Sequence, residues 1–335
     1  MKYVYNLIAF ATAPAQRPVA GRTRYPNFDL MRLLLAVEVV FAHAWSVVDP
    51  NFEWSGFIMA VPAFLAISGF LVLQSYEDSS TWGHFMKKRM LRIFPALIFS
   101  FALCYALFDR TSTYNSVLVW ATGGLYQIGR DRNVPLWSLA WEELAYLSLA
   151  VLWALGAYKR AIFIWLLLVA SIVLVWQTSH LALHIPYLHI ILFLPTAFLV
   201  GNLMYFYRGR LRNIPPIVPW ITLYGAIQFC YAPGSNLLGG APVVLAQAFA
   251  VVWVSIAGFR AIPWRIPDIS YGVYIYHWPF IMWVSRNYEV KSLPQLLLYV
   301  SLFLIPFSIF SWYMIEKPAL KLKNWRPVPK GALAE

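Results

Sequence analysis

Apolar runs long enough to cross a bilayer, about 17 to 25 residues, recur along this chain at 30–48, 56–75, 92–108, 135–155, 161–178, 190–207, 215–231, 236–258, 268–286 and 293–315. The pattern predicts an all-α polytopic membrane protein, a bundle of about ten transmembrane helices. The stretch 111–130 is only partly apolar and ends in QIGRDRN. It is expected to form one additional re-entrant or interfacial segment, buried against protein. No internal repeat and no pair of interrupted helices in two halves is visible, which weakens a transporter reading.

The first span departs from a plain anchor. NFDLMRLLLAVEVVFAHAW, 27–45, is apolar enough for lipid yet carries Asp29, Arg32, Glu38 and His43. At 100° per residue, positions 29, 32, 36, 39 and 43 fall on one helix face, with Arg32 and His43 roughly 16 Å apart along the axis. A charge near mid-membrane costs about 2.5 to 3.5 kcal/mol on insertion scales, so such a face normally turns to a bundle interior or wet cavity. The other segments are therefore expected to pack around it.

Composition sharpens the class. Of 335 residues 61% are hydrophobic and only 12% charged, with a mean hydropathy of +0.62, against about 25% charged in soluble domains. A net charge of +12 could mean nucleic acid, but the basic residues sit between apolar runs and read as cytoplasmic loops. With the N-terminus inside, ten spans leave only Arg110, Arg130, Arg132, Arg286 and Lys291 of the 26 Lys and Arg residues outside. Both termini are thus expected in the cytoplasm, and a full span at 111–130 would invert every later loop. YVYNLIAFATA after Met1-Lys2 resembles a short signal peptide, but cleavage would put Arg17, Arg22, Arg24 and Arg32 outside. A cytoplasmic leader over 1–26 and a basic tail over 319–335 are expected instead. Cys104 and Cys230 both lie in apolar runs, which excludes a disulfide framework.

Four further islands carry candidate chemistry. In VPAFLAISGFLV, 61–72, Ser68-Gly69 interrupts a span; Gly admits a close backbone or a ligand, and simple helix packing explains it equally. In HFMKKRMLRIFPAL, 84–97, Arg89 and Arg92 share a face with Lys88 beside them. Two guanidinium forks suit bidentate phosphate binding, and the alternative is anchoring to anionic lipid. In PLWSLAWEELAYL, 135–147, Glu142 and Glu143 point about 100° apart, so they cannot face the same partner. DISYGVYIYHWPF, 268–280, sets Tyr271, Tyr274 and His277 before Pro279, where an aromatic belt with a hydrogen-bonded histidine is the plain alternative.

Together these stretches resemble one family. Arg32 with His43, AISGFLV, KRMLRIFP, WSLAWEELAY, ISYGVYIYHWP and WYMIEKP (312–318) occur in the order and approximate spacing of the membrane acyltransferase family 3 proteins, bacterial O-acyltransferases of cell-surface sugars. The resemblance covers 27–318, which would be the membrane acyltransferase domain. It implies transfer of an acyl group, usually acetyl, from cytoplasmic acyl-CoA to a hydroxyl of a glycan or lipid-linked sugar such as O-antigen or exopolysaccharide, at the bacterial inner membrane. No metal and no nucleic acid enter. By resemblance, His43 is the essential first-helix histidine, Arg32 the arginine before it, Arg89 and Arg92 the pair needed for activity, and Glu142 the glutamate of the tryptophan-serine-leucine motif; His43 and Glu142 are thus expected to be catalytic, Arg32, Lys88, Arg89 and Arg92 to hold the coenzyme, and Ser68, Trp137, Tyr274 and His277 to contact substrate. A stand-alone form without the SGNH domain of some relatives is expected. Glu38, and Lys317 where arginine is commoner, depart from the pattern.

Acyl transfer to an alcohol needs a base for the hydroxyl proton, and histidine is the side chain whose unperturbed pKa lies near working pH. His43 would deprotonate the acceptor or carry the acyl group itself, and Glu142 could orient it. The rivals are a transporter or flippase whose buried charges line a path, and a non-catalytic partner in polysaccharide assembly.

Overall fold

A computed structural model describes residues 25, 27–49, 51, 59–126, 132–180, 188–230, 240–258 and 267–324. The 1–26 leader apart from Tyr25, and the tail beyond residue 324, lie outside the described residues. Among those described there is no strand. Each of the ten expected spans holds a helix: α1 Asn27–Val48, α2 Ala60–Glu77, α3 Trp82–Leu107, then, after a short α4 at Arg110–Ala121, α5 Trp137–Ala154, α6 Ala161–His180 and α7 Leu188–Phe206. After the single turn α8 Arg208–Leu211 come α9 Ile217–Cys230, α10 Ala241–Trp253, α11 Ser270–Asn287 and α12 Leu293–Ser311, with α13 Lys317–Lys321 closing the series.

Five of the described helices are long and apolar enough to cross a membrane: α1, α2, α3, α6 over Ala161–Thr178, and the continuous helical stretch Leu293–Lys321 that includes α12. Three others, Ile191–Phe206, Ile217–Gln228 and Ala241–Ala257, are apolar but shorter. Large apolar side chains face outward on several of them, among them Leu166, Val173, Ile221, Tyr224, Leu302 and Ile305. An apolar exterior of this extent is stable in lipid and would aggregate in water. The chain is accordingly a multi-pass membrane protein.

The segment 111–130 contains α4, a twelve-residue helix of about 18 Å, too short for a hydrocarbon core of about 30 Å. Asp109 caps it by accepting from the Ser112 N–H at 2.6 Å. It stops at Gly123 and Gly124, both with positive φ. A Cβ at Gly123 would lie 2.6 Å from the Trp141 indole nitrogen, which donates to the Gly123 carbonyl at 2.9 Å. Glycine is thus required both for the turn and for the contact that fastens α4 to α5.

Small residues set the tightest helix pair. A Cβ on Gly69 would lie 2.1 Å from the Phe198 carbonyl oxygen, and one on Gly201 2.0 Å from that of Ala66. The packing reading of Gly69 therefore holds, as α2 and α7 meet backbone to backbone. Gly201→Ala is expected to force them apart and lower stability by about 1–3 kcal/mol or more. The check is a reduced thermal unfolding midpoint in detergent.

α11 is shaped by Pro279 inside it. Proline has no N–H, so the Ile275 carbonyl four residues earlier loses its helical donor. Asn133 fills the vacancy, with Nδ2 donating to Ile275 O at 2.8 Å and the residue fully buried.

Candidate active site

The polar face of α1 turns inward as its spacing predicts. Ala36 and Val39 are buried, Arg32 opens onto a cavity, and the His43 ring lies against α11. The cavity has a volume of about 370 Å³. On α2 it is lined by Val61, Phe64, Leu65, Ser68, Leu71, Gln74, Ser75 and Asp78, one helical stripe about 25 Å long at 1.5 Å per residue. The lining changes character along that length.

At the Asp78 end the cavity is cationic, with Arg32, Lys88, Arg89, Arg92 and Lys323 around it. Lys88 Nζ donates to Ser79 at 3.0 Å and Arg89 Nη2 to Ser75 at 3.1 Å. Arg92 Nη2 lies 2.6 Å from Asp268 Oδ2 in an ion pair only 19% and 15% exposed. The two guanidiniums are therefore not equivalent. Arg92 is held by a carboxylate, whereas Arg89 donates to a serine hydroxyl and keeps a buried Nε with no hydrogen-bond partner.

Midway lies a hydroxyl and carboxylate cluster. Ser68 Oγ donates to Glu142 Oε1 at 2.6 Å, and the Tyr146 hydroxyl donates to the same oxygen. Ser138 and Tyr274 share a hydrogen bond of 2.7 Å. Glu143, about 100° round the helix, turns to α4 and accepts from the Trp120 indole at 3.3 Å. The two carboxylates separate as their spacing required.

Beyond Tyr274 lie the two histidines. Tyr274 stacks edge-on to Phe64 with ring centroids 5.5 Å apart, and both rings line the cavity, whereas neither imidazole does. His43 Nδ1 is 3.0 Å from Val39 O and 3.1 Å from His277 Nε2, while His277 Nδ1 is 2.6 Å from Tyr274 O. The Trp278 ring packs edge-on to His43 at 5.2 Å.

Seven of the expected site residues, Arg32, Ser68, Lys88, Arg89, Arg92, Glu142 and Tyr274, line this one cavity. His43 and His277 join each other but do not line it. Trp137 is part-buried against the apolar core and does not line it. The neighbour brought to His43 is His277, while Glu142 is engaged with Ser68 and Tyr146. Asp268, Tyr146, Asn133 and Glu316 escaped the sequence reading. Tyr146 follows Glu142 by four residues, a spacing that signals contact on a helix. Asp268 lies inside DISYGVY, where nothing local to the motif marks it as the partner of Arg92, 176 residues away.

Residues 25–316 match the model of an acyltransferase domain. The chain belongs to membrane acyltransferase family 3. It is 27% identical to nodulation protein 10 of Rhizobium leguminosarum bv. viciae, over 89% of this chain and 94% of that protein. It is 28% identical to the O-acetyl transferase of Shigella phage Sf6, over 87% and 94% respectively. No solved structure matches the chain. As a family 3 protein it is an enzyme of acyl transfer.

Proposed function

We propose that this family 3 protein is an integral-membrane O-acetyltransferase, moving an acetyl group from cytoplasmic acyl-CoA to a hydroxyl of a cell-surface or secreted glycan. The single observation that carries this reading is one cavity that gathers Arg32, Lys88, Arg89 and Arg92 with Ser68, Glu142 and Tyr274, the Tyr274 carbonyl in turn holding the imidazole pair of His277 and His43. The coenzyme's phosphates would sit among Lys88, Arg89, Arg92 and Arg32, with the unpartnered Arg89 Nε supplying one donor. The pantetheine arm would run along the α2 stripe toward Ser68 and Tyr274. The name of the phage relative, O-acetyl transferase, supports acetyl as the group and oxygen as its destination.

The chemistry then follows from His43. The acceptor oxygen bonds to the thioester carbonyl carbon and gives its proton to His43 Nε2. The C–S bond breaks, and the imidazolium returns the proton to the departing sulfur. The five long apolar helices and the remaining apolar ones would complete a bundle of ten, with both termini and the cationic mouth on the cytoplasmic side of the inner membrane. His43, sixteen residues into α1, would then stand in the outer half, where an external acceptor can reach it.

Purified protein incubated with labelled acetyl-CoA and a membrane glycan fraction tests this. Label on the glycan, or on His43 when acceptor is withheld, is the expected result. Glycan movement across vesicles with no label transferred would replace the enzyme with a transporter.

A further inference from the structure

The hydrogen bonds around the two imidazoles admit one consistent proton arrangement. A carbonyl oxygen only accepts, so the 2.6 Å contact of His277 Nδ1 with Tyr274 O requires the His277 proton on Nδ1. His277 Nε2 then carries a lone pair directed at His43 Nδ1, 3.1 Å away. His43 Nδ1 also faces Val39 O at 3.0 Å. Two acceptors converge on that nitrogen, so it holds the proton of His43, and the basic lone pair of His43 is on Nε2. With the proton on Nε2 instead, three lone pairs would meet at Nδ1.

We propose that His277 is not a substrate contact but the positioning residue of His43, the orienting third group of a base dyad in which a neutral imidazole stands where other enzymes use a carboxylate. This rests on the acyl-transfer reading above. When His43 Nε2 takes up the acceptor's proton, positive charge develops on the ring and its Nδ1–H becomes a stronger donor. The bond to His277 Nε2 then tightens, which stabilises the charged state selectively. A neutral partner suits this depth. It offers the lone pair without burying a permanent charge.

The surroundings of His277 fit a part that must not move. It is fully buried, its Nδ1 is tied to its own helix, and the helix is fixed one turn away by the Asn133 bond to Ile275 O across from Pro279. Rotation of the ring would break the Tyr274 contact and remove the acceptor from His43 together.

Three measurements on the full-length protein in lipid decide the matter. Nitrogen-15 NMR of histidine-labelled protein, tractable because the chain has 6 histidines, should show both rings protonated on Nδ1 and a coupling across the hydrogen bond between His43 Nδ1 and His277 Nε2. His277→Leu should lower kcat about a hundredfold or more, by analogy with losing the orienting group of a catalytic triad, and leave KM for acetyl-CoA unchanged. His277→Gln, whose side-chain oxygen can stand near the former Nε2, should recover at least tenfold over the leucine variant. A His43 proton on Nε2, no coupling, an undiminished kcat in the leucine variant, or no gain from glutamine would overturn the assignment. Size-exclusion profiles matching wild type keep a folding defect from imitating the kinetic result. Should wild-type protein transfer no acetyl at all, the proposed function fails while the NMR experiment still judges the dyad.

Discussion

Replacing His43 with alanine is expected to abolish acetyl transfer, by about 10²–10⁴-fold or more, with insertion and yield unchanged. His43 is only half-buried, and among its polar contacts are the Val39 carbonyl and the neutral ring of His277, so its removal opens a small polar gap. Phe28, Leu35, Ala36, Val39 and Val40 on the same helix still anchor α1 in the core. Transfer from labelled acetyl-CoA, normalised to folded protein, is the check. A fully active His43→Ala protein would remove His43 from the chemistry.

The second large effect separates the two arginines. Arg92→Leu leaves Asp268 charged, largely buried and without its ion-pair partner, and should destabilise the fold by about 3–5 kcal/mol. Adding Asp268→Leu should restore much of that loss, because removing both partners of a buried pair is far milder than removing one. Arg89→Gln removes no ion pair. It should leave the unfolding midpoint near wild type while raising KM for acetyl-CoA about tenfold or more, the worth of one or two charge-assisted hydrogen bonds at about 1.5–3 kcal/mol each. Unfolding curves and saturation kinetics on the four proteins check this. If Arg89→Gln unfolds early and Arg92→Leu does not, the roles are reversed.

Helix positions were readable from hydropathy because a segment in lipid must satisfy its own backbone, and only an apolar helix of sufficient length does so. Each of the ten expected runs holds a helix, yet their true ends differ. α3 begins at Trp82, ten residues before the expected 92, since amphipathic HFMKKRML continues the helix where the apolar signal stops. The inward face of α1 was legible because three polar residues, Asp29, Arg32 and His43, fall at helical spacing. Pairings between distant segments were not. Nothing in single-helix periodicity says that His43 meets His277 at a separation of 234 residues, or that Glu142 takes Ser68. The capture of Arg92 by Asp268 likewise depends on how α3 crosses the entry to α11. Asn133 is recognisable only once Pro279 is known to leave the carbonyl beside it without a donor.

Phe64 and Tyr274 line the cavity and His43 does not, so the thioester must reach past the cavity's lining to react. Electron cryomicroscopy of the protein in nanodiscs with a non-hydrolysable acetyl-CoA analogue tests this passage directly. The expected result is phosphate density against Arg89 and a carbonyl carbon within about 3–3.5 Å of the space in front of His43 Nε2, the range of a reactive approach. An analogue bound away from the arginines, or one that stops at the Arg89 end without reaching the histidines, would contradict it.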